Sequence, residues 1–587
     1  MSFFKYFLAA LLALIVFCGI ILVVMIGIFG SLMDSEKPFI PARSVLVIDL
    51  SRNFAETKMV NPLFELTGNT EDAVPTLYEL VQMIDAAAKD SSIRGIYVVS
   101  NENVNGFAAS EEIRNALISF KQQGKFIFSY GDYITQKAYH VANVADRIYC
   151  NPKGMLDWRG FSVEYMYFKN LLKKLEVEPQ IFYDGKFKSA TEPFREEKMT
   201  QANRIQTEAW LGEMYGGFLQ KTSIARTIDT ATLHAYANQY AVASPADGVR
   251  LKLIDGVKYD DELKSEMKKK LGLADDDKIS FITPGTYRES GILRKGKKFV
   301  KEKIALVFAE GEIVYGKGDE GNIGSDEYRD ILRKIRYNKD VKAVVLRINS
   351  PGGSSLASEI IWREIELIRK SGKPVVVSMG DVAASGGYYI ACNADSIFAQ
   401  PNTITGSIGV FAIVPNMQGF LKNKLGLTFD GVKTARYADA LTVTRPLNTD
   451  EKRIIQHEVD NIYMDFKTRV ADGRKRDTAY IDSIAQGRVW TGTRALQIGL
   501  VDRLASLDDA LKCAAGLAKM KEYGIREYPE EKSPFEVIFG SFGKNYKADM
   551  LRSELGEDQY KMFLQLKKLK AETGEPKALM PYELEIQ

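Results

Sequence analysis

Short apolar runs alternate with amphipathic stretches along most of this chain. Ile304–Phe308, Ala343–Ile348 and Val375–Ser378 are mostly apolar runs of strand length, whereas Glu327–Tyr337 and Ser358–Lys370 place apolar residues at helical spacing. Strand, helix, strand, helix in that order implies parallel pairing through right-handed crossovers, and so an α/β fold. One segment breaks the pattern. From Tyr6 to Met33 the chain carries 28 residues without a charge, between Lys5 and Asp34. About 20 helical residues cross a bilayer core, so this run suffices with some tilt. A cleaved secretory leader has an apolar stretch of only about 7–15 residues and a small-residue cleavage site, which Phe29-Gly30-Ser31-Leu32-Met33 does not offer. A retained N-terminal transmembrane helix is therefore expected, with one large body behind it. Lys5 on one side and Lys37 and Arg43 on the other bias the orientation only weakly towards an inside N-terminus.

The body is duplicated. The stretch from Gly124 (GKFIFSYGDYITQKAYHVANVADRIYCNP) matches that from Gly372 (GKPVVVSMGDVAASGGYYIACNADSIFAQP), pairing Asp132 with Asp381, Asp146 with Asp395 and Pro152 with Pro401 at a constant offset of 249. Ile93 onward matches Val341 onward at 248, and the segment ending at Asp255 matches that ending at Asp502 at 247. So small a drift over such a length marks a repeat. The expected division is an anchor and linker over residues 1–44, a first domain over 45–263, a charged connecting segment over 264–303 with a helix in it, a second domain over 304–513, and a tail over 514–587 in which LRSELGEDQYKMFLQLKKLK reads as an amphipathic helix.

Composition narrows the function. With 587 residues, 45% hydrophobic and 26% charged, the bulk of the chain is neither disordered nor a multi-span transporter. A formal net charge of +3 makes no electrostatic case for nucleic acid. Four cysteines without a CxxC pair and three histidines leave no motif that calls for a metal, and none calls for an organic cofactor.

Chemistry is best sought where the two copies differ. In the second copy an apolar strand runs into Ala383-Ala384-Ser385-Gly386-Gly387 and then an apolar helix, which leaves the Ser385 hydroxyl accessible beside backbone N–H groups. Alone, such a serine could equally be a helix cap. The offset of 249 puts Gln136 at this place in the first copy. Ser350-Pro351-Gly352-Gly353 forms a turn able to expose a backbone N–H, where the first copy has Asn101-Glu102-Asn103-Val104-Asn105. Conversely, aligning Phe187 with Tyr437 sets Lys188 of the first copy against Ala438 of the second. One copy has the lysine without the serine and the other the serine without the lysine. A neutral lysine can activate a serine hydroxyl, provided burial lowers its pKa; Lys186 could assist by repulsion if it points the same way. Taken alone, Lys188 reads as a solvated surface residue. The competing Ser–His–Asp arrangement has only His140, His234 and His457 to draw on, all in expected helices without a catalytic pattern around them.

The segments GKFKSATEP (Gly185–Pro193), SPGG (Ser350–Gly353), DVAASGGYYIA (Asp381–Ala391) and TGSIGVF (Thr405–Phe411) closely resemble the bacterial signal peptide peptidase A family in its long, tandem-domain form. The resemblance covers nearly the whole chain. It implies tandem crotonase/Clp-protease-like domains, a serine endopeptidase with Ser385 as nucleophile and Lys188 as general base, oxyanion N–H groups from Gly353 and Gly386, and Ser407 orienting the lysine. It further implies remnant signal peptides and other apolar peptides as substrates, a homotetramer with an apolar inner groove, and a single-pass location in the bacterial inner membrane with the body in the periplasm. A crotonase-type acyl-CoA enzyme and a catalytically inactive membrane scaffold remain as alternatives.

Overall fold

The structure is a computed structural model. It describes residues 2–33, 38–58, 74–294, 300–319, 321–530 and 576–580. The expected tail helix in 551–570 lies outside the described residues. A helix runs from Ser2 to Met33, but its side chains are described only for residues 4–20. Among the described residues no helix is long and apolar enough to cross a membrane.

Two sheets that share one order of parallel strands form the body, and the second also carries Ile404–Gly406 and Val489–Thr491, which run antiparallel to each other. In the first, Gly256–Val257, Arg147–Leu156, Phe126–Ile134, Ile93–Val99, Ser44–Asp49 and Phe281–Ile282 lie side by side. In the second, Arg503–Leu504, Ser396–Ala399, Val375–Ala384, Val341–Ser350, Lys303–Glu310 and Gly524–Tyr528 repeat that sequence of neighbours. Both sheets are covered by helices, so their central strands are apolar on both faces; all but two of the ten residues of Val341–Ser350 are buried.

The residues that match between the copies do matching structural work. Asp146 and Asp395 accept hydrogen bonds from Ile127 N and Val375 N, and Asp255 and Asp502 from Ile148 N and Ile397 N, all at 2.8 Å. Tyr139 and Tyr388 donate their hydroxyls to the carbonyls of Leu253 and Leu500. Both repeats run past residues 263 and 513. Helix Asp260–Leu271 packs Leu263, Met267 and Leu271 on the first sheet, and strand Phe281–Ile282 pairs with Ser44–Asp49. Helix Leu507–Leu517 and strand Gly524–Tyr528 do the same on the second. The segment 264–303 therefore completes the first domain before it connects to the second. Its charge hides this, because three apolar residues at helical spacing suffice to dock an otherwise polar helix.

A third, mixed sheet joins the lobes. Glu178–Asp184, from the first repeat, runs antiparallel to Val410–Asn416 of the second in unbroken register from Asp184 opposite Val410 to Glu178 opposite Asn416. Elsewhere the lobes meet through a buried ionic cluster, with Arg347 Nη2 2.7 Å from Glu56 and 2.8 Å from Glu112. Asp381 caps the first lobe's helix Phe107–Gln122 by accepting from Ala108 N and Ala109 N.

Candidate active site

Strand Val375–Ala384 ends at Ser385, and helix Gly386–Ala391 begins immediately after it. To turn so sharply Ser385 adopts φ 55° and ψ −116°, a conformation an L-residue takes only at a cost. It is held there by its own N–H, which donates to Gly406 O at 2.8 Å, and by its carbonyl, which accepts the first bond of the helix from Tyr389 N. At the equivalent place in the first lobe the Gln136 amide is spent on backbone: it donates to Gly160 O and accepts from Arg159 N and Gly160 N. That corner is sealed.

Strand Glu178–Asp184 delivers Lys188 to the serine within one chain. Lys188 Nζ lies 2.9 Å from Ser385 Oγ, 3.1 Å from Ser407 Oγ and 3.1 Å from Ser407 O. Lys188, Ser385 and Ser407 are all completely buried. Burial holds the Lys188 amine well below the ordinary lysine range. An amine that is neutral and in contact with a hydroxyl can take its proton. Lys186 does not take part: it is exposed, with its ammonium over the Phe187 ring. The counterpart of Lys188 in the second lobe, Ala438, lies exposed.

The lysine's backbone is clasped by a segment the sequence did not single out. Gly487, at φ 72°, approaches so closely that a Cβ there would stand 2.6 Å from Lys188 N and Cβ. Gln486 O accepts from Phe187 N at 2.7 Å, and Gln206 donates to Phe187 O and Ser189 Oγ. Only a Gln-Gly pair in the sequence hinted at this. His140 is buried in the first lobe against Glu111, His234 bonds Tyr215 and Asn238, and His457 is exposed on helix Thr449–Arg474. A histidine triad therefore has no member beside Ser385.

The turn Pro351-Gly352-Gly353 lies against the serine. Gly353 has φ 155°, and a Cβ there would stand 2.0 Å from Ile313 O, so only glycine fits. Strand Gly352–Ser354 and strand Val410–Asn416 are one strand apart, and Lys577–Leu579 fills the space between them. It pairs antiparallel with Gly352–Ser354, Gly353 opposite Ala578, and antiparallel with Phe411. This short strand near the C-terminus was not expected.

A family model, Peptidase family S49, matches residues 119–274 and again 368–521. Protease 4 of Salmonella typhi is 34% identical over 542 residues, covering 89% of this chain and 86% of that protein. Protease 4 of Haemophilus influenzae is 35% identical, covering 86% of this chain and 84% of that protein. The chloroplastic serine protease SPPA of Arabidopsis thaliana is 31% identical, covering 80% of this chain and 70% of that protein. Among solved structures, a point mutant of ClpP1 from Listeria monocytogenes aligns over 35% of this chain and 94% of that one, with 17% identity and a TM-score of 0.24. Two S49 matches on two lobes, and relatives that extend over nearly the whole length, place this chain in peptidase family S49, in its tandem Protease 4 (SppA) form, as a serine-type peptidase.

Proposed function

We propose that this peptidase is a membrane-anchored endopeptidase that digests remnant signal peptides with a Ser385–Lys188 dyad. The observation that carries the reading is the 2.9 Å contact between a buried amine and a buried hydroxyl supplied by different lobes. Neutral Lys188 removes the Ser385 proton as Oγ attacks the scissile carbonyl, then returns it to the leaving amine. The N–H groups of Gly353 and Gly386 face the oxyanion, and Ser407 orients the amine through its hydroxyl and carbonyl.

The substrate enters extended. The one-strand space between Gly352–Ser354 and Val410–Asn416, which Lys577–Leu579 fills in this structure, suits a peptide that pairs through its backbone and tolerates varied sequence. The anchor is assigned to the uncharged run Tyr6–Met33, which lies within the helix Ser2–Met33. It would hold the body at the periplasmic face of the bacterial inner membrane, where cleaved signal peptides are left. A tetramer, as in the resemblance, would enclose them. The test is cleavage of a labelled apolar signal-peptide sequence by detergent-solubilised protein. Ser385→Ala and Lys188→Met are expected to abolish it, and full activity in either variant would remove the dyad.

A further inference from the structure

One segment of the second lobe, residues 487–491, touches every part that holds the dyad. Strand Val489–Thr491 runs antiparallel to Ile404–Gly406, with Thr405 opposite Trp490 and Gly406 opposite Val489. Gly406 O holds the Ser385 N–H, and the next residue, Ser407, donates its own N–H to Arg488 O at 2.7 Å. Gly487 presses on the backbone of Lys188. Val489 N donates to Gln206 Oε1 at 3.3 Å, and the amide nitrogen of Gln206 holds Phe187 O and Ser189 Oγ. A single stretch of backbone therefore sets the strand behind the serine, the residue that receives the amine, and the loop that carries it.

The side chain of Arg488 adds a second tie between the lobes at this place. Its guanidinium carbon stands 5.0 Å from the centre of the Phe187 ring, next to Lys188 on the first lobe's loop, and 4.2 Å from that of Trp490. Its Nε is buried and has no hydrogen-bond partner among the described residues. Glu213, the acid that acts on it, is engaged with Thr491 Oγ1, and Arg494 adds a like charge. A cation placed so is held by aromatic faces, which favour a planar guanidinium over an ammonium. The repeat marks the same residues. The offset of 247 aligns Arg488-Val489-Trp490-Thr491 with Ala241-Val242-Ala243-Ser244. The framework is common to both: Val242 and Val489 are buried, and Ser244 and Thr491 cap the helices that follow, Pro245–Arg250 and Gly492–Gln497. The two residues that form the stack, however, are both alanine in the lobe that has no nucleophile.

We infer that Arg488 is a positioning residue for the dyad: laid across Phe187 and Trp490, its guanidinium locks the loop that carries Lys188 to the strand on which Ser407 and Ser385 are set. The inference rests on the dyad reading above. Lys188 Nζ bonds to Ser385 and Ser407 and not to the arginine. Burial is what holds that amine below the ordinary lysine range, so Arg488 acts by placement rather than by charge. With the lock gone the loop shifts against Ser407, water reaches the amine, and its pKa returns towards the ordinary value. Misplacing a catalytic group by about 1 Å costs about 10²-fold in rate. Substrate held by its backbone in the groove makes no use of the stack, so the loss falls on kcat rather than on KM.

The test is kcat, KM and the acid limb of kcat/KM for the detergent-solubilised full chain on a labelled apolar peptide, with urea melts to report folding. Arg488→Met is expected to lose about 10²-fold in kcat with KM within about twofold, and its acid limb to move about one pH unit higher. Arg488→Lys, which returns a cation to the two rings without the planar stack, should recover roughly half of that pH shift. Phe187→Leu breaks the same contact from the other lobe and should match Arg488→Met, while the double variant should lose no more than either single one. A residue that served folding alone would lower the urea midpoint and leave the acid limb in place, and that result overturns the inference. So does a wild-type kcat in Arg488→Met, or two losses that multiply in the double variant. Should Arg488→Met not fold, Phe187→Leu and Arg488→Lys are read for the limb, and an unmoved limb in Phe187→Leu overturns the inference in the same way. Lys188→Met, assayed in parallel, separates the two readings. If it still cleaves, the dyad falls and this inference with it; if it is inactive while the limb of the Arg488 variants stays put, this inference alone falls.

Discussion

Replacing Lys188 with methionine separates the two things that burial of this amine does. Methionine occupies a similar volume, so packing changes little. Three polar contacts vanish, however, at 2.9, 3.1 and 3.1 Å. Each buried group of Ser385 and Ser407 left without a partner costs about 1–3 kcal/mol. Against this, the native protein carries the cost of keeping a lysine neutral. In the unfolded chain Lys188 titrates near the ordinary value of about 10.4, whereas in the fold burial holds it well below that. Between the two values the unfolded state binds more protons, so the unfolding free energy of the wild type rises with pH through that window. The methionine variant lacks this contribution. The difference in stability, wild type minus Lys188→Met, should therefore grow as pH rises and level off above about 10.4. Activity should fall by at least the roughly 10²–10⁴-fold that a positioned base supplies. The wild-type kcat/KM should decline on the acid side as the amine gains its proton. Urea melts and peptide cleavage across a pH series measure both. A variant that keeps more than about a tenth of the activity, or a stability difference that does not change with pH, would refute the assignment of a neutral buried lysine.

Three further outcomes follow from the geometry. Gly353→Ala forces a Cβ to within 2.0 Å of Ile313 O and should lower kcat by about 10²–10³-fold, the loss of one oxyanion donor; an unchanged kcat in a folded variant would remove Gly353 from the site. Ser407→Ala removes one acceptor of the lysine N–H while its carbonyl remains. kcat should fall about tenfold and the acid limb should move to lower pH, read from the pH profile; no movement would show that the hydroxyl does not tune the amine. Arg347→Met leaves Glu56 and Glu112 buried without their partner and should destabilise by about 3–5 kcal/mol in chemical denaturation. A loss below about 1 kcal/mol would mean that this cluster does not hold the lobes together.

How much of this was legible in the chain depends on how local each feature is. The duplication was readable because both copies keep the residues that close the same loops: Asp146 and Asp395, Asp255 and Asp502, Tyr139 and Tyr388 hold equivalent backbone groups. The α/β alternation was readable because strands buried on both faces must be apolar throughout. Candidate site residues were readable from asymmetry, since Ser385 and Lys188 stand where the other copy has Gln136 and Ala438. The ends of the repeats were not, because helix Asp260–Leu271 and its following strand gain their place only from the sheet they cover.

The sequence by itself determined the repeat, the strand and helix order, and which residues could do chemistry. Only the tertiary structure decided that Lys188 and Ser385, 197 positions apart, touch within one chain. Periodicity describes neighbours along the backbone, whereas this contact depends on strand Glu178–Asp184 leaving its own repeat to pair with Val410–Asn416 of the other. The same holds for Lys577–Leu579: three residues carry no pattern, and their place in the groove comes from backbone hydrogen bonds that any sequence able to fit could make.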